Sequence, residues 1–165
     1  MRRAPDDRSL LEFGGEFVVV CPRCSLQAWV RDRGAAAEPR IALTCLHCGH
    51  NQFWEPAEPG VLSAADPKRY PPGVVAMGAP VDWYFHLPLW LQTSCCGETL
   101  WAYNAAHLAF LEDYVRAALR EHTRGEHGWR NQALANRLPG WMKDASNRDD
   151  ILKCIERLRE NLSGA

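Results

Sequence analysis

The sequence has no long apolar run and no excess of charge of either sign. No stretch approaches the roughly 20 consecutive apolar residues that a membrane-spanning helix needs. Nineteen Lys and Arg side chains against twenty Asp and Glu give a formal net charge of −1 at pH 7. Dedicated nucleic-acid binders usually show a basic stripe, and none is visible along this chain. We therefore expect no membrane contact, and any basic patch would have to be assembled by the fold.

Three sequence signals of particular functions are also missing. Residues 1–7 lack the apolar run of a secretory signal, so we expect a cytoplasmic protein. The G-x-x-x-x-G-K-[ST] loop that cradles phosphates is absent, which argues against a helicase or another nucleotide hydrolase of that kind. No nucleophile–base pair or carboxylate pair is recognisable, so the sequence predicts that the protein is not an enzyme.

Cysteine, by contrast, is abundant and regularly spaced. Cys21 and Cys24 form one C-x2-C pair, and Cys45 and Cys48 form a second pair twenty residues later. Two such pairs at this separation are typical of a site in which four thiolates surround one Zn²⁺. Gly49 directly follows the second pair and suits a turn that requires a positive φ. In a reducing cytoplasm, metal binding explains the cysteines better than disulfides do.

The residues around these pairs predict short strands. β-branched and apolar residues at 16–20 lead into the first pair, and alternating residues at 26–30 lead away from it. Residues 41–44 and 51–55 flank the second pair in the same way. This is the zinc-ribbon pattern, two β-hairpins whose tips supply the sulfurs, and we assign it to residues 1–57. Because four cysteines complete a tetrahedral shell, we expect one structural zinc ion rather than a catalytic one.

Beyond the ribbon, residues 58–80 have the composition of a linker, with five of the chain's eleven prolines. Residues 81–124 predict a second hairpin, with strands at 87–92 and 99–103 around Cys95-Cys96-Gly97. It looks like a degenerate ribbon hairpin. Asn104 is a good N-cap for an amphipathic helix at 105–121.

The second hairpin leaves the role of its two cysteines open. A second metal site would need Cys95 and Cys96 together with two more ligands, and His86 and His107 are the nearest candidates. The alternatives are buried thiols in a metal-free hairpin, or a reactive thiol with His107 as its base. Buried thiols are the expectation that we prefer.

The remaining segment, residues 125–165, is predicted to be a helical arm. Leu134 and Leu138 mark a short helix that stops at Pro139, and a turn with Trp141 and Met142 follows. Ser146 or Asn147 then caps a last helix, whose apolar stripe comprises Ile151, Ile155, Leu158 and Leu162, with Leu152 and Cys154 at its margin. This helix either docks on the rest of the protein or forms a detachable arm that folds on a partner. The whole chain is therefore predicted to be α+β.

Residues 79–124 resemble a group of bacterial proteins usually labelled transcription-factor-IIB-type zinc-ribbon proteins and sometimes labelled relatives of the replication-restart helicase. The segments LPLWLQ, CCG, LWAYN, HL and YV-x-A-x-LRE carry the resemblance, and NRLPGWMK at 136–143 resembles the tail of that group. Two residues depart from its pattern, Trp83 in place of a proline and Glu98 in place of a histidine. The resemblance implies a ribbon fold, and it implies no defined activity.

These observations favour a non-enzymatic interaction module. Seven Trp residues, a near-neutral charge and terminal amphipathic helices fit a protein that binds another protein or a second copy of itself. The alternative is binding of DNA or RNA through the ribbon, in a transcription- or replication-associated role. The residues that would contact nucleic acid are Arg23, Arg31, Arg33, Arg40 and Trp29.

Overall fold

A computed structural model of the protein describes residues 10–57, 71–121 and 138–163. Within these ranges the fold is α+β, as predicted, with a four-stranded antiparallel sheet, a two-stranded sheet and three helices. The predicted short helix around Leu134 lies outside the described residues, as does the first half of the predicted linker. No described helix combines the length and the apolar character needed to cross a membrane.

The N-terminal sheet is a meander of four strands in the order β1-β2-β3-β4. The strands are β1 (Glu16–Val20), β2 (Gln27–Asp32), β3 (Ile41–Thr44) and β4 (Asn51–Phe53). β1 and β3 match the predicted strands residue for residue, β2 is displaced toward its C-terminal end and β4 is shorter. Short β-branched, apolar or alternating segments on either side of the two cysteine pairs therefore located all four strands.

The outer edge of β1 is covered by the chain that follows the linker. The Trp90 N–H donates to the Val18 carbonyl at 2.9 Å, and the Val20 N–H donates to the Pro88 carbonyl at 2.9 Å. A further hydrogen bond of 2.9 Å joins the Val18 N–H to the Tyr103 carbonyl. β1 is therefore paired on both sides, which explains why Phe17, Val18 and Val19 are all buried.

The second hairpin starts four residues later than predicted. It consists of β5 (Leu91–Cys95) and β6 (Glu98–Ala102), whereas we had placed its first strand at residues 87–92. That placement was wrong because residues 88–90 bond to β1 instead of to β6. Cys96 and Gly97 form a two-residue connection with φ values of 54° and 78°, as a type I′ turn requires.

Three helices follow, α1 (Ala105–Glu121), α2 (Gly140–Lys143) and α3 (Arg148–Ser163). The last helix is docked, since it packs its buried residues against β5 and α1. Those residues are Ile151, Cys154, Ile155 and Leu158. Cys154 was predicted at the margin of this face, and it is 4% exposed. The Glu112 carboxylate on α1 forms ion pairs with Arg116 on the same helix and with Arg159 on α3, and the second pair joins the two helices.

The start of α3 differs from the prediction. A single 3₁₀ turn, Ala145–Asn147, precedes it, and the Asp144 side chain accepts the Ser146 N–H at 2.9 Å. Asp144, rather than Ser146 or Asn147, is therefore the N-cap of this turn, and Ser146 and Asn147 lie within it. The acidic Asp149 and Asp150 lie in the first turn of α3, where the helix dipole favours them.

Asn104 joins the two halves of the molecule. Its Oδ1 accepts the His107 N–H at 3.0 Å, so it caps α1 as predicted. Its Nδ2 donates to the carbonyls of Phe13 and Glu16 at 2.9 and 2.7 Å. One side chain thus fixes the start of α1 against the start of β1.

Candidate metal centre

Both cysteine pairs lie on tight turns of the same geometry. In the first turn the Ser25 N–H donates to the Cys21 carbonyl at 3.0 Å, and in the second the Gly49 N–H donates to the Cys45 carbonyl at 3.0 Å. Ser25 and Gly49 both have a positive φ, of 63° and 74°. The prediction for Gly49 is confirmed, and Ser25 adopts the same conformation despite its side chain. The two turns therefore present their sulfurs in the same way.

The four sulfurs of Cys21, Cys24, Cys45 and Cys48 form one cluster. All four sulfurs lie within 4.8 Å of one another, close enough to bind the same metal ion. The Cys21–Cys48 and Cys24–Cys45 sulfur separations are 3.7 and 3.6 Å. Four sulfurs about 2.3 Å from a central Zn²⁺ would be about 3.8 Å apart. The cluster is therefore positioned to bind a metal ion in a tetrahedral shell.

Cys21 and Cys24 differ strongly in how readily their thiols ionise. Burial opposes ionisation of Cys21, but N–H groups of Cys24 and Arg23 that point at its sulfur lower its pKa to about 6. The Leu26 N–H favours the Cys24 thiolate, yet burial and the neighbouring cysteines raise the pKa of Cys24 to about 12. The first thiolate thus forms easily and resists the next, because like charges repel. A divalent cation at the centre would remove that resistance.

The residues considered for a second metal site do not form a group of ligand atoms. The His107 Nδ1 accepts the Tyr103 N–H at 3.1 Å, and the His86 Nε2 lies 2.8 Å from the Val74 carbonyl oxygen. Cys96 is exposed on the hairpin turn. Among the described residues, the sole cluster that could hold a metal ion is the one of four cysteines.

Cys95 is bonded to Cys154 and Cys96 is free but exposed, which corrects the expectation of two buried thiols in the hairpin. This disulfide spans 59 residues and joins β5 to α3, with a Cα–Cα distance of 6.3 Å. Its partner could not be identified from the sequence, because Cys154 lies on a separate helix whose position depends on packing. The Arg157 guanidinium lies 3.1 Å from the Cys154 sulfur. The disulfide ties the last helix to the hairpin.

The seven cysteines occupy three environments: the four-cysteine cluster, the disulfide and the exposed hairpin turn. They are therefore expected to react with a thiol reagent in three steps. In the native, metal-loaded protein, a thiol reagent is expected to modify one cysteine, the exposed Cys96. Denaturation with a chelator should raise the count to five, and subsequent reduction should raise it to seven. Colorimetric thiol titration at each step is the measurement. A count of seven before reduction would contradict the disulfide, and five in the native state would contradict metal protection of the cluster.

The arginines considered for nucleic-acid contact are largely engaged within the protein. Arg40 makes two hydrogen bonds of 2.7 Å to the Asp32 carboxylate, and this contact holds the pKa of Asp32 below its ordinary value. Arg31 pairs with Glu16 at 3.1 Å and stacks over Trp29 at 4.9 Å.

Two further arginines complete this set. Arg33 donates to the Pro39 carbonyl at 3.0 Å and lies 5.7 Å from the centre of the Phe53 ring. Arg23 is exposed beside the first cysteine pair. Two of the four arginines therefore have a carboxylate partner that already offsets their charge, which lowers their value for binding phosphates.

His107 is a buried base with a predictable effect on stability. Burial lowers its pKa from about 6.5 to about 4. The unfolded chain therefore binds a proton more readily than the folded one, and stability that is complete above pH 6.5 is lost as the pH falls through 4. We expect a loss of about 3 kcal/mol between pH 7 and pH 4 from this residue alone.

Urea unfolding at several pH values, with wild type and His107→Gln in parallel, measures that loss. Glutamine offers an oxygen that can accept the Tyr103 N–H, but it does not titrate. A metal ion held by the cysteine cluster would also be released in acid, and this effect would be common to both proteins. The difference between the two curves isolates His107, and parallel curves would contradict the assignment.

Comparison with known proteins adds no identification. No protein-family model, no curated protein and no solved structure matches this chain. The functional interpretation therefore depends on the site itself.

Proposed function

We propose that the protein is a non-enzymatic structural-zinc protein that acts as a macromolecular interaction module and binds another protein. In this proposal Cys21, Cys24, Cys45 and Cys48 hold one Zn²⁺ and the N-terminal sheet is a zinc ribbon. Tetrahedral all-thiolate sites favour zinc or iron among the metals that proteins use. Four protein ligands leave no open coordination position for a substrate, which supports a structural role.

The observation that carries the interaction role is the exposure of leucine at the metal end of the sheet. Leu46, inside the second cysteine pair, is 82% exposed, and Leu26, directly after the first turn, is 46% exposed. A single exposed leucine is ordinary on a protein surface. Here there are two exposed leucines, one at each of the two turns that meet at the cysteine cluster. The backbone of each turn is held in place by a hydrogen bond within the turn. Rigid apolar side chains of this kind make good contacts for a protein partner.

Nucleic-acid binding is the second candidate function. Arg23 lies in the first cysteine turn and Trp29 on the strand that follows it, β2, where Trp29 is half-buried with Arg31 stacked on it. The ion pairs of Arg31 and Arg40 count against this candidate, because neutralised guanidinium groups release few counterions from a phosphate backbone.

Substitution of the exposed leucines tests whether they bind a protein partner. If the leucines form a protein-binding surface, Leu46→Asp should weaken co-purification of the partner at least about tenfold. Leu11→Asp is the control, because Leu11 is 64% exposed and lies before β1, away from the cysteine turns. Sedimentation of both variants tests whether the partner is a second copy of this chain.

Nucleic-acid binding is measured with labelled single- and double-stranded DNA and RNA at two salt concentrations. We expect no binding that weakens steeply with salt. Salt-sensitive binding that is lost in Arg23→Glu and kept in Leu46→Asp would overturn the proposal in favour of nucleic acid.

We also propose membership of the transcription-factor-IIB-type zinc-ribbon group, on the sequence resemblance of residues 79–124. The two departures lie in very different surroundings. Trp83 is 5% exposed and packs on Phe17 with 5.2 Å between ring centres, whereas Glu98 is exposed at the end of β6. Trp83 therefore belongs to the core of this protein, and a histidine at position 98 would reach solvent.

A further inference from the structure

A pocket of about 190 Å³ lies between β6, the first turns of α1 and the chain around α2. Six side chains give it its character, Thr99, Trp101, His107, Leu111, Trp141 and Met142. It shares no residue with the cysteine cluster, so it is independent of the function proposed above. We propose that this pocket binds a small, uncharged, planar aromatic molecule that carries one hydrogen-bond acceptor.

The size of the pocket sets the size of the ligand. An apolar cavity of about 150 Å³ is large enough to bind benzene. A volume of about 190 Å³ therefore accommodates one aromatic ring with a short substituent. Trp101 and Trp141 are both half-buried and supply flat surfaces, against which rings prefer offset or edge-to-face contact.

The composition of the wall excludes a charged ligand. No Asp, Glu, Lys or Arg is among the described residues that line the pocket. His107 is neutral at pH 7, because burial lowers its pKa to about 4. An ion placed here would lose its hydration with no opposite charge to replace it, which is costly.

One lining group can orient the ligand. The Nδ1 of His107 accepts the Tyr103 N–H at 3.1 Å, so the proton of the neutral ring is on Nε2. Phe13 stacks on the same imidazole with ring centres 4.8 Å apart, which holds its plane. Because the His107 ring has one N–H donor and a fixed plane, it favours a ligand that carries a hydrogen-bond acceptor. Thr99, exposed on β6, stands at the opening.

The test is a titration of the full, zinc-loaded chain, followed by ¹H–¹⁵N NMR. The probes are anisole, toluene, cyclohexanol and benzoate. We expect anisole to shift the amides of Leu100, Trp101 and His107 and the indole signals of Trp101 and Trp141, saturably, with a Kd below about 1 mM. Toluene lacks the acceptor and should bind about fivefold more weakly. Cyclohexanol and benzoate should bind at least about tenfold more weakly than anisole.

Two matched variants locate the site. Thr99→Phe places a ring at the opening and should weaken anisole binding at least about tenfold, whereas Glu98→Phe, on the neighbouring exposed position, should not. Trp141→Ala removes one flat wall and should also weaken binding. Unsaturable shifts, shifts confined to other surfaces, benzoate affinity equal to that of anisole, or full affinity in both Thr99→Phe and Trp141→Ala would overturn the proposal.

Discussion

Cys45→Ser is expected to abolish high-affinity metal binding and to unfold the N-terminal sheet. Cys45 is 1% exposed, and its sulfur lies 3.6 Å from that of Cys24 in the cluster. Structural zinc contributes roughly 10–16 kcal/mol in small finger peptides, which is as large as the whole free energy of unfolding of a typical domain, about 5–15 kcal/mol. The loss of one thiolate from a four-ligand shell should therefore remove the cooperative unfolding transition of this sheet. Metal content by mass spectrometry and thermal unfolding by circular dichroism measure the two effects.

Cys96→Ser is the matched control, because Cys96 is exposed and lies outside both the cluster and the disulfide. It should keep one metal ion per chain and the wild-type melting curve. Full metal content together with an unchanged melting curve in Cys45→Ser would show that the cluster is not the metal site. Addition of a chelator to the wild type should reproduce the effect of Cys45→Ser.

Asp82→Ala is expected to destabilise the protein by about 3 kcal/mol, because three partly buried N–H groups would each lose their acceptor. The Asp82 carboxylate is 0% exposed and accepts the N–H groups of Tyr84, Phe85 and Leu87 at 2.9, 2.7 and 2.7 Å. Burial raises the pKa of Asp82, and the three N–H groups act in the opposite direction. This turn places Trp83 in the core, so its loss should also disturb packing against Phe17.

Urea unfolding of Asp82→Ala and Asp82→Asn gives the free energies. Asparagine keeps one acceptor oxygen and should lose less stability than alanine. Asp113→Ala is the control, since Asp113 is exposed on α1 and its replacement should change stability by about 0.5 kcal/mol or less. An Asp82→Ala variant as stable as Asp113→Ala would show that the N–H groups find other partners.

The sequence predicted the strands of the N-terminal sheet and the α1 helix well, and the second hairpin less well. Strands β1 and β3 were predictable because each is bounded by turn residues and shows a local pattern. The displaced β5 shows the limit of such patterns. Residues 88–90 belong to an apolar segment like a hairpin strand, but they pair with β1, more than sixty residues earlier in the chain. The local sequence does not show which of two strands, β6 or β1, these residues will pair with.

What the sequence determined by itself is the set of four cysteines, because each pair and its turn lie within five residues and need no other part of the chain. The α+β class and the cap at Asn104 follow from equally local patterns. Tertiary structure alone decided that Cys95 meets Cys154 and that a pocket opens beside His107. Both depend on the distance between elements that are remote in sequence, and only tertiary packing sets that distance.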